Sequence, residues 1–145
     1  MRDIAQSGLN PESVLIHDAA RPQLSKALIE ACYKALPGHD GVLPVLPMKD
    51  TVYYSENGTQ ITSLMERSKI YAGQAPELFV FEKYLEANNN LSDEQMLTIC
   101  GSSEPAVLAG MDVVMIPGDE RNIKITTKED LLKFEDFIAG KKGKM

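Results

Sequence analysis

A three-layer α/β fold, with a mostly parallel sheet and a β-hairpin projecting from it, is what this sequence predicts. Three patterns carry that expectation. Val14, Leu15 and Ile16 form an apolar run that breaks abruptly into Asp18 and an Arg21-Pro22 turn, as a strand covered on both faces does when it reaches the edge of a sheet. A helical stripe of Ala27, Leu28, Ala31, Cys32 and Ala35 separates that run from a second one at 41–47, the strand, helix, strand order of a right-handed crossover between neighbouring parallel strands. Between 49 and 73, apolar and hydroxylated residues flank Ser55-Glu56-Asn57-Gly58, and Asn-Gly is a strong hairpin signal.

The elements follow in order. Ile4, Ala5 and Leu9 stand at roughly helical spacing with Gly8 near the stop, so the chain opens on the end of a helix that lacks a cap of its own. That opening suggests a piece of something longer. Asn10-Pro11-Glu12 is a turn and 14–17 a strand. Ser25 is the N-cap of a helix at 25–36, which Pro37-Gly38 ends. The arm at 49–73, apolar on both sides, is expected to be covered by a second subunit. Leu78, Phe79, Phe81, Tyr84 and Leu85 predict a helix over 76–87, and Ser92-Asp93-Glu94-Gln95 opens another in capping-box fashion. Two apolar stretches fill 107–117, an extended segment is expected at 122–126, and a helix at 128–139. No repeat or low-complexity segment occurs.

The 145 residues, 43% of them hydrophobic, suffice for one domain burying roughly two-thirds of its unfolded surface. Cys32 and Cys100 lie in apolar, helix-like contexts without a paired spacing, and no signal peptide or membrane span is recognisable. These features fit a reduced, cytoplasmic protein with packed thiols. A net charge of −6 argues against nucleic acid as a partner. A small anion remains compatible, because a few placed Arg and Lys side chains can hold one phosphate against an acidic background. The basic residues Lys141, Lys142 and Lys144 read as a solvated tail.

Two polar clusters stand out. Asp18 and Arg21 close the first apolar run, and in open α/β sheets ligands collect beyond the carboxyl ends of the strands. Gly118-Asp119-Glu120-Arg121-Asn122-Ile123-Lys124 follows another apolar run and precedes a helix. Lys124 alternates with Ile123 and Ile125, so on an extended chain it points away from the face those two bury. Together the clusters suggest a site for a phosphorylated ligand. Arg21 has two readings from its residue type, phosphate contact or a lock on its own loop through carbonyl acceptors. His17, one residue before Asp18, faces the opposite way and reads as structural, His39 as exposed loop, and Tyr53, Tyr54 and Tyr71 as arm residues that pack against protein.

The segments His17-Asp18-Ala19-Ala20-Arg21-Pro22, Pro47-Met48-Lys49-Asp50-Thr51, Glu66-Arg67, Gly73-Gln74-Ala75-Pro76-Glu77-Leu78-Phe79 and Asn122-Ile123-Lys124-Ile125-Thr126 occur in this order. In that order and spacing the chain resembles the C-terminal portion of 2-C-methyl-D-erythritol 4-phosphate cytidylyltransferases, with ribitol-5-phosphate cytidylyltransferases as close relatives. The resemblance implies a nucleotide-diphospho-sugar transferase-like fold, here incomplete, since the family's glycine-rich loop, which holds the triphosphate of CTP, has no counterpart among residues 1–145. It implies transfer of CMP from CTP to a polyol phosphate in non-mevalonate isoprenoid precursor synthesis, with this chain weak or inactive alone. A ribitol-5-phosphate enzyme, or a non-catalytic dimerisation or polyol-phosphate-binding module, is the alternative. No nucleophile or P-loop motif supports a phosphatase or kinase.

Residue by residue, the resemblance implies that Asp18 binds Mg²⁺ and, with Lys124, serves catalysis. Arg21, Thr51 and Arg67 would contact substrate, and Ala19 and Ala20 the nucleotide. It makes 49–73 a dimerisation arm that reaches over a twin subunit, so that Thr51 and Arg67 act in the partner's site. Ala75 stands where many relatives carry a substrate-binding Thr, so one hydroxyl donor is missing here.

Overall fold

Glu77–Val80 forms a strand at the centre of the molecule, and its placement organises the rest. In this computed structural model, which describes residues 1–140, the short helix α1 (Arg2–Gln6) leads into β1 (Ser13–Ile16), α2 (Lys26–Ala35) and β2 (Gly41–Pro47). An arm follows with β3 (Tyr53–Tyr54), β4 (Ser63–Leu64) and a 3-10 turn (Arg67–Lys69), and it returns through β5 (Tyr71–Gly73). Then come β6 (Glu77–Val80), α3 (Phe81–Asn89), α4 (Asp93–Thr98), α5 (Glu104–Leu108), β7 (Val113–Pro117) and α6 (Lys128–Ile138). The tail of Lys141, Lys142 and Lys144 lies outside the described residues.

The sheet runs β1-β6-β2, with β7 parallel to β2 on the far side. β6 is antiparallel to both of its neighbours. β1, β2 and β7 therefore share one direction, as the apolar runs predict. β1 and β2 are nevertheless not adjacent, because β6 has entered between them, and the simple crossover expectation is corrected on that point. β5 pairs with the second half of β2. Successive β2 carbonyls serve opposite neighbours: Pro44 O accepts from Gln74 N at 2.8 Å and Val45 O from Gly118 N at 2.9 Å.

Helices cover both faces, which makes the three layers. On one face Cys32 of α2 packs with Val42 and Leu78, joined by Leu15, Val114 and Ile116. On the other, Phe79, Tyr84 and Ala106 pack with Val14, Ile16 and Val113. Leu78 and Phe79 are fully buried on opposite faces, each worth roughly 2–3 kcal/mol by area. The Phe79 and Tyr84 rings stack with centroids 4.4 Å apart and planes 6° from parallel. Phe79 lies so close over β2 that a Cβ at Gly41 would stand 2.5 Å from its ring, so any larger residue at position 41 must displace that ring.

Three expectations are corrected. The helix over 76–87 begins only at Phe81, because Leu78 and Phe79 occupy a strand slot whose two covered faces accept an apolar run of any local period. The hairpin expected around Asn57-Gly58 forms, Tyr53 and Tyr54 pairing antiparallel with Leu64 and Ser63; Asn57 Oδ1 accepts from Thr59 N and Gln60 N at 2.9 and 3.0 Å, and the loop runs from Ser55 to Thr62 before β4 begins. Residues 122–126 form no strand and hold to the core through Ile125 N donating to Ala20 O at 2.8 Å. Cys32 is buried as expected, but Cys100 is exposed. The Ser25 cap and the Ser92–Gln95 capping box form as read.

Candidate functional site

The shared direction of β1, β2 and β7 brings their carboxyl ends to one edge of the sheet, and there the two polar clusters meet. Asp18 follows β1 by two residues, and the loop carrying Lys124 follows β7. Arg21 Nε donates to Asp18 Oδ2 at 3.1 Å, and Lys124 Nζ lies 3.3 Å from the same oxygen. Arg21 Nη1 donates to the Asn122 carbonyl at 2.7 Å, and Ile125 N to that of Ala20. Two loops about a hundred positions apart are thus stitched together around one carboxylate.

Exposure separates the roles. The Arg21 side chain is only 12% exposed, against 37% for Asp18 and 49% for Lys124. The contacts of Arg21 with Asp18 and with the Asn122 carbonyl are those of a loop lock. Lys124 is half exposed, with its ammonium resting against Asp18. Partial burial pushes the Asp18 carboxyl up, but hydrogen bonds from Lys124 and Arg21 and their charges outweigh it and leave the group below its ordinary range. Asp18 is therefore ionised at neutral pH. His17 takes a structural part, its Nε2 being 2.9 Å from Arg21 O. His39 pairs with Asp112 at 2.8 Å near the surface.

Asp18 suits magnesium, which commonly takes one or two carboxylates and completes its shell with water and ligand phosphates. Both cations address Oδ2. No cluster of three or more His, Cys, Asp or Glu residues occurs among the described residues, so a closed protein cage is not what this edge provides.

Thr51 and Arg67 belong to the arm between β2 and β5. They lie on the two facing limbs of the arm, where Arg67 Nη1 donates to Lys49 O at 2.9 Å. Tyr53, Tyr54, Ile61 and Leu64 are all more than half exposed on the same arm. Ala20 meets the site through its carbonyl, and Ala19 shares its tight turn.

Three residues that sequence reasoning passed over complete the edge. Asn122 is fully buried, its Nδ2 donating to Ala75 O at 2.6 Å. Gln74 is buried and grips the Asp119 peptide from both sides, Oε1 accepting from Asp119 N at 3.0 Å and Nε2 donating to Asp119 O at 3.1 Å. Glu77, opposite Ile16 on β6, is 8% exposed; burial pushes its carboxyl up, helped by the Asp18 charge and opposed by Ser102 and Arg21. A polar residue among apolar neighbours, as at 74 and 77, was the available signal.

The fold and this edge define a class, the α/β proteins whose polar clusters gather beyond the carboxyl ends of their strands. Within that class the profile of the 2-C-methyl-D-erythritol 4-phosphate cytidylyltransferase (IspD) family matches residues 4–140, and the chain belongs to that family. It is 35% identical over 133 residues to a bifunctional enzyme IspD/IspF of Bradyrhizobium sp. (strain ORS 278), covering 92% of this chain and 34% of that protein. It is 33% identical over 132 residues to the 2-C-methyl-D-erythritol 4-phosphate cytidylyltransferase of Roseobacter denitrificans, covering 91% of this chain and 58% of the relative. Among solved structures, the 4-diphosphocytidyl-2C-methyl-D-erythritol synthase of Anaerococcus prevotii superposes with a TM-score of 0.78 at 25% identity, over 95% of this chain and 64% of the other. The cytidylyltransferase of Thermus thermophilus gives a TM-score of 0.77 at 26% identity, over 90% and 63%. The chain spans about a third of the bifunctional relatives and 58% of the monofunctional one.

Proposed function

We propose that this chain carries the metal-facing and polyol-phosphate-facing edge of a cytidylyltransferase acting on CTP and 2-C-methyl-D-erythritol 4-phosphate. One observation carries the reading: Asp18, Arg21 and Lys124 meet within 3.3 Å at the carboxyl edge of the sheet, with a net charge suited to a phosphate. In the reaction an oxygen of the polyol phosphate attacks the α-phosphorus of CTP. A new phosphorus–oxygen bond forms, the bond from that phosphorus to the bridging oxygen breaks, and pyrophosphate leaves with the electron pair.

Such a transfer asks the protein for position and for charge neutralisation rather than covalent chemistry. Lys124 releases Asp18 and stabilises the negative charge gathered on the phosphates. Arg21 holds the Asp18 loop against the Asn122 loop, so both groups keep their places, and its remaining N–H edge faces substrate. A magnesium ion held by Asp18 would neutralise triphosphate charge. Ala19 and Ala20 form the turn beside the nucleotide.

The exposed apolar arm supports a homodimer in which Thr51 and Arg67 serve the twin's site, Arg67 through a planar fork matched to phosphate oxygens. Among the described residues no helix is long and apolar enough to cross a membrane. A cytoplasmic setting suits substrates that are themselves charged and water-soluble. Titration calorimetry with CTP, 2-C-methyl-D-erythritol 4-phosphate and ribitol 5-phosphate, each with and without magnesium, tests the proposal. Preferential binding of the erythritol phosphate is expected. Equal binding of both polyols, or of neither, would overturn it.

A further inference from the structure

We propose that Gln74 and Asn122 are positioning residues that transmit the seating of the 49–73 arm to the Arg21 and Lys124 cations. The inference rests on the reading of those cations as an anion site and goes beyond it, because neither amide touches a ligand.

The connection is continuous. β5, the returning limb of the arm, ends at Gly73, and Gln74 is the next residue. A neutral amide offers a donor and an acceptor on one short planar group at every pH, and Gln74 uses both on the Asp119 peptide, which fixes that peptide's orientation. The room for this grip is reserved: a Cβ at Gly118 would lie 2.3 Å from Gln74 Oε1. The Asp119 carbonyl that Gln74 holds also accepts from Asn122 N at 2.9 Å. Asn122 in turn reaches back to Ala75 with its side chain and presents its own carbonyl to Arg21 Nη1 at 2.7 Å.

A displacement of residues 73–75 therefore moves the acceptor on which Arg21 rests, and Lys124 lies two residues beyond it. At the surface Lys49, at the root of the arm, pairs with Glu120 of the same loop at 2.6 Å. The buried amides make the stiff inner tie and this ion pair the compliant outer one.

The experiment uses the intact chain with Gln74→Met and Gln74→Glu, and reads two things. Amide and guanidinium NMR resonances of Arg21 Nε–H and Ile125 N–H report the site directly, and calorimetry reports affinity for 2-C-methyl-D-erythritol 4-phosphate. Gln74→Met is expected to displace both resonances and weaken binding about tenfold, the loss equivalent to two buried hydrogen bonds. Gln74→Glu is expected to match wild type more closely at pH 5 than at pH 8, since a protonated carboxyl restores the donor and acceptor pair; it also serves if Gln74→Met fails to fold. A charge on the arm, Tyr54→Asp, is expected to shift Arg21 Nε–H in the wild-type background and not in Gln74→Met. Resonances of Arg21 and Ile125 that stay at their wild-type positions in Gln74→Met would overturn the proposal. Displaced resonances in a protein whose wild type binds no polyol phosphate would support the coupling and refute the function.

Discussion

Replacing Asp18 by Asn separates the two tasks assigned to this carboxylate. With Asp18 ionised, the charges of Asp18, Arg21 and Lys124 sum to +1; in Asp18→Asn they sum to +2. A phosphate oxygen about 4 Å from the carboxylate loses a repulsion of about 1 kcal/mol at the dielectric of water, which applies here because Asp18 and Lys124 are 37% and 49% exposed. That corresponds to about a fivefold gain in metal-free affinity for 2-C-methyl-D-erythritol 4-phosphate. The same change puts a neutral amide where a carboxylate would hold magnesium, so the gain in CTP affinity on adding the metal should vanish. The folded protein should lose little, about 1 kcal/mol or less, since the carboxylate shared by both pairs is open to solvent and the amide oxygen of Asn can still accept from Arg21. Its pH dependence has a definite sign: a depressed carboxyl contributes stability above its unfolded value and loses it as the pH falls, so variant and wild type should converge in acid. Calorimetric titration of each ligand with and without magnesium is the assay. A magnesium effect that survives in Asp18→Asn, or a metal-free phosphate affinity that falls, would refute the assignment.

Other outcomes follow from the packing. Gly41→Ala should lower the urea-derived stability by about 1–3 kcal/mol, because the new Cβ overlaps the Phe79 ring held between β2 and α3. Unchanged stability would show that Phe79 is free to move. Glu77 carries a raised carboxyl, so the fold is favoured while the group is protonated and loses stability as the pH climbs from about the ordinary 4.5 through the raised value. Glu77→Gln should therefore match wild type near pH 4 and exceed it by roughly 1–3 kcal/mol at pH 8, the cost of a buried polar group without adequate partners. An equal difference at both pH values, read from urea midpoints, would count against it. Tyr54→Asp with Leu64→Asp should shift sedimentation equilibrium from dimer to monomer with the helical circular dichroism preserved; an unchanged mass would show that the arm is not the interface.

Much of the fold was legible because its signals are local. β1, α2 and β2 are apolar runs bounded by Pro, Gly and a serine cap, and they form as read. β6 was not, because Leu78 and Phe79 continue without a break into the helical spacing of Phe81, Tyr84 and Leu85. Only the slot between β1 and β2, a contact distant in sequence, makes residues 77–80 extended. The site divides the same way. Asp18 and Lys124 announce themselves as charges beside apolar runs, and the structure brings them together. The grip of Gln74 on Asp119 spans 45 residues and is made to backbone, which leaves no pattern in the sequence. Thr51 and Arg67 lie on the arm between β2 and β5, and any service to a twin's site leaves no local pattern in the sequence.

The location of the metal nucleotide is the most direct question, and paramagnetic broadening answers it. Manganese with CTP, added to the isotopically labelled chain, should broaden the amides of Ala19, Ala20, Arg21 and Ile125 before any others, and Asp18→Asn should abolish the effect. Broadening centred on the apolar cavity beside Tyr84, Met96 and Pro105, or spread evenly over the surface, would contradict a site built on Asp18 and Lys124.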